Sequence, residues 1–220
     1  MSIFEYNIDF ARELDRNDEL KNFRPKFAIP DKKIYMDGNS LGLMPFESKK
    51  AVQRVLSEWE NLAIGGWLNA NPPWFYMAEE TGALCSELVG AQPNEVIACG
   101  NTTVNIYSML STFYQAKGTK KQILADCLNF PSDIYALRSF LELKSLNPDE
   151  NLILVPSEDG HKLSEESICD MMTDEIALVF LPSVLYRSGQ VLDIEKLCRE
   201  AHKKEIIIGF DCSHSVGAIP

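Results

Sequence analysis

The feature that most constrains this chain is a rhythm that begins near residue 94. Short apolar runs, EVIACG (95–100), QILADC (122–127), NLILVP (151–156), IALVFLPSV (176–184) and IIIGFD (206–211), alternate with stretches whose apolar residues recur at helical spacing. The helical faces are Ile106, Met109, Leu110 and Phe113, then Ile134, Leu137 and Leu141, then Ile194, Leu197, Cys198 and Ala201. Runs that are apolar on both sides suit strands covered from above and below, and helical connections between them make the strands parallel. The fold class read from this rhythm is α/β, a mainly parallel sheet flanked by helices.

The part before residue 94 has a different texture. Val52, Val55, Leu56, Trp59 and Ala63 share one helical face, and Gly65-Gly66 ends that helix. A second helix is expected over Glu79–Val89 with Gly90 at its C-terminal cap, and the loop GGWLNANPPW lies between the two. Hydrophobic residues make up 45% and charged residues 24%, which supports a packed core. The formal net charge of −11 argues against nucleic acid or an anionic membrane as partner. Six cysteines are scattered without a C-x-x-C pair, as expected of reduced thiols in a cytoplasmic protein. The segment MSIFEYNIDFARELDRNDEL carries no basic stretch followed by an apolar one, so no secretory signal is expected.

In parallel α/β sheets ligands collect beyond the carboxyl ends of the strands, so the residues after each run carry the functional signal. After the first run, Gly100-Asn101-Thr102-Thr103 opens a helix; small residues and two hydroxyls at the positive end of a helix form a phosphate cradle, or an ordinary threonine cap. After the second come Asn129, Phe130, Pro131, Ser132 and Asp133. Pro131 and Asp133 suit a helix start in any protein, whereas Phe130 is either core or a stacking face for a flat ligand. After the fifth comes Asp211-Cys212-Ser213-His214. A carboxylate there is costly unless it meets donors or a cation. It caps a turn, forms half of a metal site, or holds a protonated heteroaromatic nitrogen. No third ligand cluster accompanies the D-x-x-H pair, so no metal is assigned. A phosphate cradle, an aromatic face and an acid for a ring nitrogen together match the needs of pyridoxal 5'-phosphate.

The stretches YMDGNSLGLMP (35–45), GNTTVNIYSML (100–110), NFPSD (129–133), YRSGQVLDI (186–194) and GFDCSHSVGAI (209–219) together resemble the kynureninase family of fold-type I pyridoxal-phosphate enzymes. The resemblance implies a fold-type I large domain, begun here by residues 61–220, and a smaller domain to which the helical segment 1–60 contributes. It implies that Thr102 and Thr103 bind the cofactor phosphate, that Phe130 stacks on the ring with Pro131, Ser132 and Asp133 beside it, and that Asp211 holds the ring nitrogen with His214 close by. Ser40 and Trp67 would face the substrate, tryptophan at 67 being similar to members that prefer kynurenine over its 3-hydroxy form. The implied reaction is hydrolysis of L-kynurenine to anthranilate and L-alanine, in tryptophan catabolism and NAD biosynthesis, by a cytoplasmic homodimer. The cofactor contact near Pro182 and Ser183 departs from the family pattern.

The family's cofactor-bearing lysine follows a tyrosine beyond the D-x-x-H strand, and no lysine here stands in that context. The expectation is therefore an amino-terminal part of such an enzyme, without a catalytic residue of its own, and with a first strand that lacks its neighbour. Two other readings remain: a cysteine desulfurase-like relative, which shares D-x-x-H but not GNSLGL or FPSD, and a non-catalytic fragment that binds a partner subunit. A flavodoxin-like nucleotide binder would need more glycine than GNTTVN has.

Overall fold

A computed structural model describes residues 4–219. In chain order the helices and strands are α1 (Ile8–Asn17), α2 (Phe46–Leu62), α3 (Gly66–Asn69), α4 (Met77–Cys85), α5 (Thr102–Phe113), β1 (Gln122–Asp126), α6 (Pro131–Leu143), α7 (Pro148–Asn151), β2 (Leu152–Val155), α8 (Glu165–Asp170), β3 (Ile176–Pro182), α9 (Ile194–Lys203) and β4 (Ile207–Asp211). They fall into two compact units, Met1–Met77 and Ala78–Pro220. The expected small-domain segment, 1–60, lies inside the first.

In the second unit the strands form one parallel sheet in the order β2-β1-β3-β4. The alternation of apolar runs with helical periods thus gave the sheet its direction as expected. β1 and β3 are central, and every residue of β3 is buried. One core layer joins α5 and α6 to the sheet through Ile106, Leu110, Leu137, Phe140 and Ile123; the other packs α8 and α9 through Ile168, Leu197, Val179 and Leu181. Each such side chain removed from water contributes roughly 1.5–3 kcal/mol.

The run 95–100 is a correction to the sequence reading, because it forms no strand. Ile97 is 58% exposed, and the run is tied to α4 by Ala98 N–H to Ala78 O at 3.2 Å. An apolar run becomes a strand only when a neighbour completes its ladder. Among the described residues none pairs with this one. Its backbone still packs tightly on α4, since a Cβ on Gly82 would stand 2.1 Å from Val96 O.

In the first unit, α2 carries the expected face, but none of its residues is buried, and Trp59 is 65% exposed. The helix stops before Gly65-Gly66 as expected, and Gly66 is required there because a Cβ would meet the Trp74 ring at 2.2 Å. In the second unit the helix expected over 79–89 ends in a 3-10 turn, Ser86–Val89, closed by Gly90 in the left-handed conformation at φ +63°.

Candidate functional site

Helix α5 crosses the sheet from the strands' carboxyl ends to their amino ends. Phe113, at its last turn, lies with Ala177, Glu205 and Ile207, where β3 and β4 begin. The first turn of α5 is therefore on the side where Asp211 ends β4. Asn101 caps the helix by accepting the Val104 N–H at 3.1 Å. Among the described hydrogen bonds, the N–H groups and hydroxyls of Thr102 and Thr103 have no acceptor, and both residues are exposed. Gly100 makes the approach possible: its φ is +53°, and a Cβ would meet Asn105 Oδ1 at 2.8 Å. Free N–H donors, hydroxyls and a positive helix end suit an anion.

The loop after β1 carries the flat face. Phe130, 45% exposed, precedes Pro131, the first residue of α6. Its ring meets Tyr186 edge-on at 5.2 Å, and Tyr186 lies nearly parallel to His214, 24° between planes and 6.5 Å between centroids. Tyr186 thus joins Phe130 to His214, a role the sequence reading did not give it. Its loop folds back through Leu185 N–H to Gln190 O at 2.9 Å and a Val184–Val191 bridge.

The acids converge at the same edge. Asp211 Oδ1 accepts from the Ser213 N–H at 2.9 Å and from the Ser213 hydroxyl at 2.6 Å, so its first oxygen is held by its own turn. Asp133 is 1% exposed; its Oδ1 accepts from the Ser132 hydroxyl at 3.2 Å, and its Oδ2 has no partner among the described residues. Burial pushes the Asp133 carboxyl up to about 7, helped by the negative charge of Asp211. Ser132, expected to reach a cofactor, donates its hydroxyl to Asp133. None of the ion pairs among the described residues involves Asp126, Asp133 or Asp211.

The doubtful contact near Pro182 and Ser183 has a definite form. Pro182 is paired with Asp211 in the sheet, and the next residue, Ser183, is 1% exposed. Ser183 N–H donates to Asp211 O at 2.9 Å, and Ser183 Oγ lies 3.1 Å from the same oxygen and 2.8 Å from Ser215 Oγ. Ser215 also reaches Cys212 O at 3.2 Å. This hydroxyl pair ties the Asp211 turn to the end of β3, with every hydroxyl satisfied.

Ser40 and Trp67 belong to the first unit. Ser40 stands in an exposed turn with its N–H on Asp37 O at 3.2 Å, and Trp67 packs edge-on against Phe75 at 6.5 Å.

Comparison with known proteins follows the same lines. The aminotransferase class-V family model matches residues 34–220. A kynureninase of Geobacillus thermodenitrificans is 52% identical over 216 residues, covering 98% of this chain and 50% of its own length. A kynureninase of Bacillus anthracis is 50% identical over 217 residues, covering 99% of this chain and 51% of its own. The chain therefore spans about half the length of the curated relatives it matches. Among solved structures, a mutant of C-DES with glycine covalently linked to its PLP cofactor superposes with a TM-score of 0.74 at 17% identity, over 90% of this chain and 51% of that one. The cysteine desulfurase CsdA of Escherichia coli gives 0.69 at 15%, over 88% and 48%. At such identities the likeness is one of fold.

Proposed function

Because the chain belongs to the aminotransferase class-V family, we propose that it provides the cofactor-binding half of a pyridoxal 5'-phosphate-dependent kynureninase. The observation that carries this is the pairing of opposite needs at one sheet edge: donors without acceptors at Thr102 and Thr103, and buried carboxyl oxygens without a cation at Asp133 and beside Asp211. A pyridinium ring bearing a phosphate answers both. About 50% identity to kynureninases supports the choice of reaction over the desulfurase reading.

In this reading Thr102, Thr103 and the first turn of α5 hold the phosphate, and Phe130 offers its exposed face to the ring. Asp211, oriented by Ser213 and fixed to β3 through Ser183, keeps the ring nitrogen protonated. The bound cofactor would supply a sink for the electron pair left when the proton next to the substrate's amino group is removed. Asp133 supports Asp211, and His214, aligned by Tyr186, orients the ring's polar substituents. Ser40 and Trp67 are assigned to the substrate, Trp67 favouring kynurenine over its 3-hydroxy form. The whole protein would cleave L-kynurenine at Cβ–Cγ with water, giving anthranilate and L-alanine. We place it in the cytoplasm, as a homodimer serving tryptophan catabolism. Among the described residues no helix is long and apolar enough to cross a membrane.

The test is anthranilate fluorescence on adding L-kynurenine and pyridoxal 5'-phosphate to the whole protein. Release of anthranilate is the expected result. Release of L-alanine and persulfide from L-cysteine, without anthranilate, would move the assignment to the desulfurase relatives.

A further inference from the structure

Asp211 has a task in the reading above, but a single turn would leave an acid at a strand end free to swing. Two buried hydroxyls meet behind it. Ser183, the residue after β3, is 1% exposed, and Ser215, in the turn after β4, is 8% exposed. Their Oγ atoms stand 2.8 Å apart, although the two residues are 32 positions apart in the chain. Burying a hydroxyl is costly unless it is satisfied, and a satisfied pair adds little net stability over two apolar side chains of the same shape. What such a pair confers is one fixed arrangement, because a slip of either segment leaves both hydroxyls without partners.

Each serine is the node of a different loop. Pro182 has no N–H to give, and Ser183 ends the pairing of β3 with β4: its N–H donates to Asp211 O at 2.9 Å, and its Oγ lies 3.1 Å from the same oxygen. Ser183 O accepts the Leu192 N–H at 3.0 Å, which closes the base of the loop 184–191 that carries Tyr186. Ser215 belongs to the turn after β4. Its N–H and that of Val216 donate to Cys212 O at 3.0 and 3.1 Å, and its Oγ lies 3.2 Å from that oxygen. Inside this turn Ser213 grips Asp211 Oδ1 through both its N–H and its hydroxyl. The contact between Ser183 and Ser215 therefore joins the Tyr186 loop to the turn that carries Asp211 and His214. The same two segments meet again where Tyr186 lies nearly parallel to His214.

We propose that Ser183 and Ser215 are positioning residues: their buried hydroxyl pair pins the turn of Asp211 and His214 to the base of the Tyr186 loop, so that the Asp211 carboxylate meets a ligand's ring nitrogen. What Asp211 meets rests on the cofactor reading; what holds it rests on these contacts. Both serines are too buried to touch a ligand and act through Asp211. The placement matters because a charge-assisted hydrogen bond depends steeply on distance and angle, and a shift of about 1 Å in a positioned group is enough to cost much of its effect.

The experiment is hydrogen exchange read by mass spectrometry on the whole protein in its cofactor-free form, for the natural sequence, Ser183→Ala and Ser215→Ala. The amides of 212–216 should be protected in the natural protein, and Ser215→Ala should cut that protection by on the order of tenfold while leaving β3 within about twofold. Protection unchanged by either substitution overturns the proposal, and so does an equal loss along β3, which would mark a merely structural role. If neither variant folds, a natural protein whose 212–216 amides exchange as fast as an open loop overturns it equally. Calorimetry on the same samples compares pyridoxal 5'-phosphate with its deaza analogue, in which a C–H replaces the ring nitrogen. Ser215→Ala should narrow the preference for the nitrogen-bearing ligand by on the order of tenfold, in the same sense as Asp211→Asn. Equal weakening of both ligands overturns the positioning role. A natural protein that binds the two ligands alike faults the cofactor reading instead, and the exchange result still decides what holds Asp211.

Discussion

The two ends of the site contrast in nearly every physical respect. At the start of α5, Thr102 and Thr103 are exposed, carry donors and sit on the positive end of a helix. Across the sheet edge, Asp126 and Asp133 are wholly buried, carry acceptors and have no cation. Either alone has an ordinary structural meaning, a cap or a turn. Together, in the proposed reading, they suit a ligand that is negative at one end and positive at the other, with Phe130 offering a flat face to its ring.

The contrast can be broken most sharply at its acidic end. Asp211→Ala should lower kynurenine turnover by on the order of a hundredfold or more, since it removes a charged group aimed at the reacting ring system. It should also weaken pyridoxal 5'-phosphate binding measured by calorimetry. Comparable turnover would mean that the acid does not face the ring.

The acids also make stability depend on pH in an unusual direction. Asp126 and Asp133 have folded values above their unfolded ones, so the folded chain binds more protons between about 4 and 7. Their contribution is fully present below about 4 and is lost as pH rises towards 7. Urea unfolding of the cofactor-free chain should therefore show lower stability at pH 8 than at pH 5, by on the order of a few kcal/mol. Asp133→Asn should flatten the profile, and pyridoxal 5'-phosphate should restore stability at pH 8.

At the donor end the effects are smaller. Thr102→Ala and Thr103→Ala should each weaken cofactor binding by roughly 1 kcal/mol, about fivefold, with stability against urea little changed. Inorganic phosphate should compete with the cofactor for this end and leave the Asp133 titration unmoved. Phe130→Leu should cost the least, about 0.5–1.5 kcal/mol of stacking, read in the same calorimetry.

Much of this was legible in the residues. Four of the apolar runs became strands, with β3 buried along its whole length and β4 only partly buried, and Asp211 stood out as an acid closing one of them. The run 95–100 has a similar composition and formed no strand, because a ladder is a property of two segments and none of the described residues pairs with it. The α2 face was legible too, but what covers it was not. Asp126 closes QILAD as Asp211 closes IIIGFD, so the signal was present twice; the sequence could not tell that the first turn of α6 buries Asp133. Tyr186 and Ser183 gave no local sign, since their contacts with His214, Phe130 and Ser215 cross tens of residues and exist only after the sheet has formed.

The central claim is that one ligand spans both ends, and calorimetry with pyridoxal 5'-phosphate on the natural chain, Thr103→Ala, Asp211→Asn and the double variant tests it most directly. The account predicts saturable one-to-one binding that each single change weakens and the double change weakens further. Binding indifferent to Asp211→Asn, or no saturable binding to a folded chain, would contradict it.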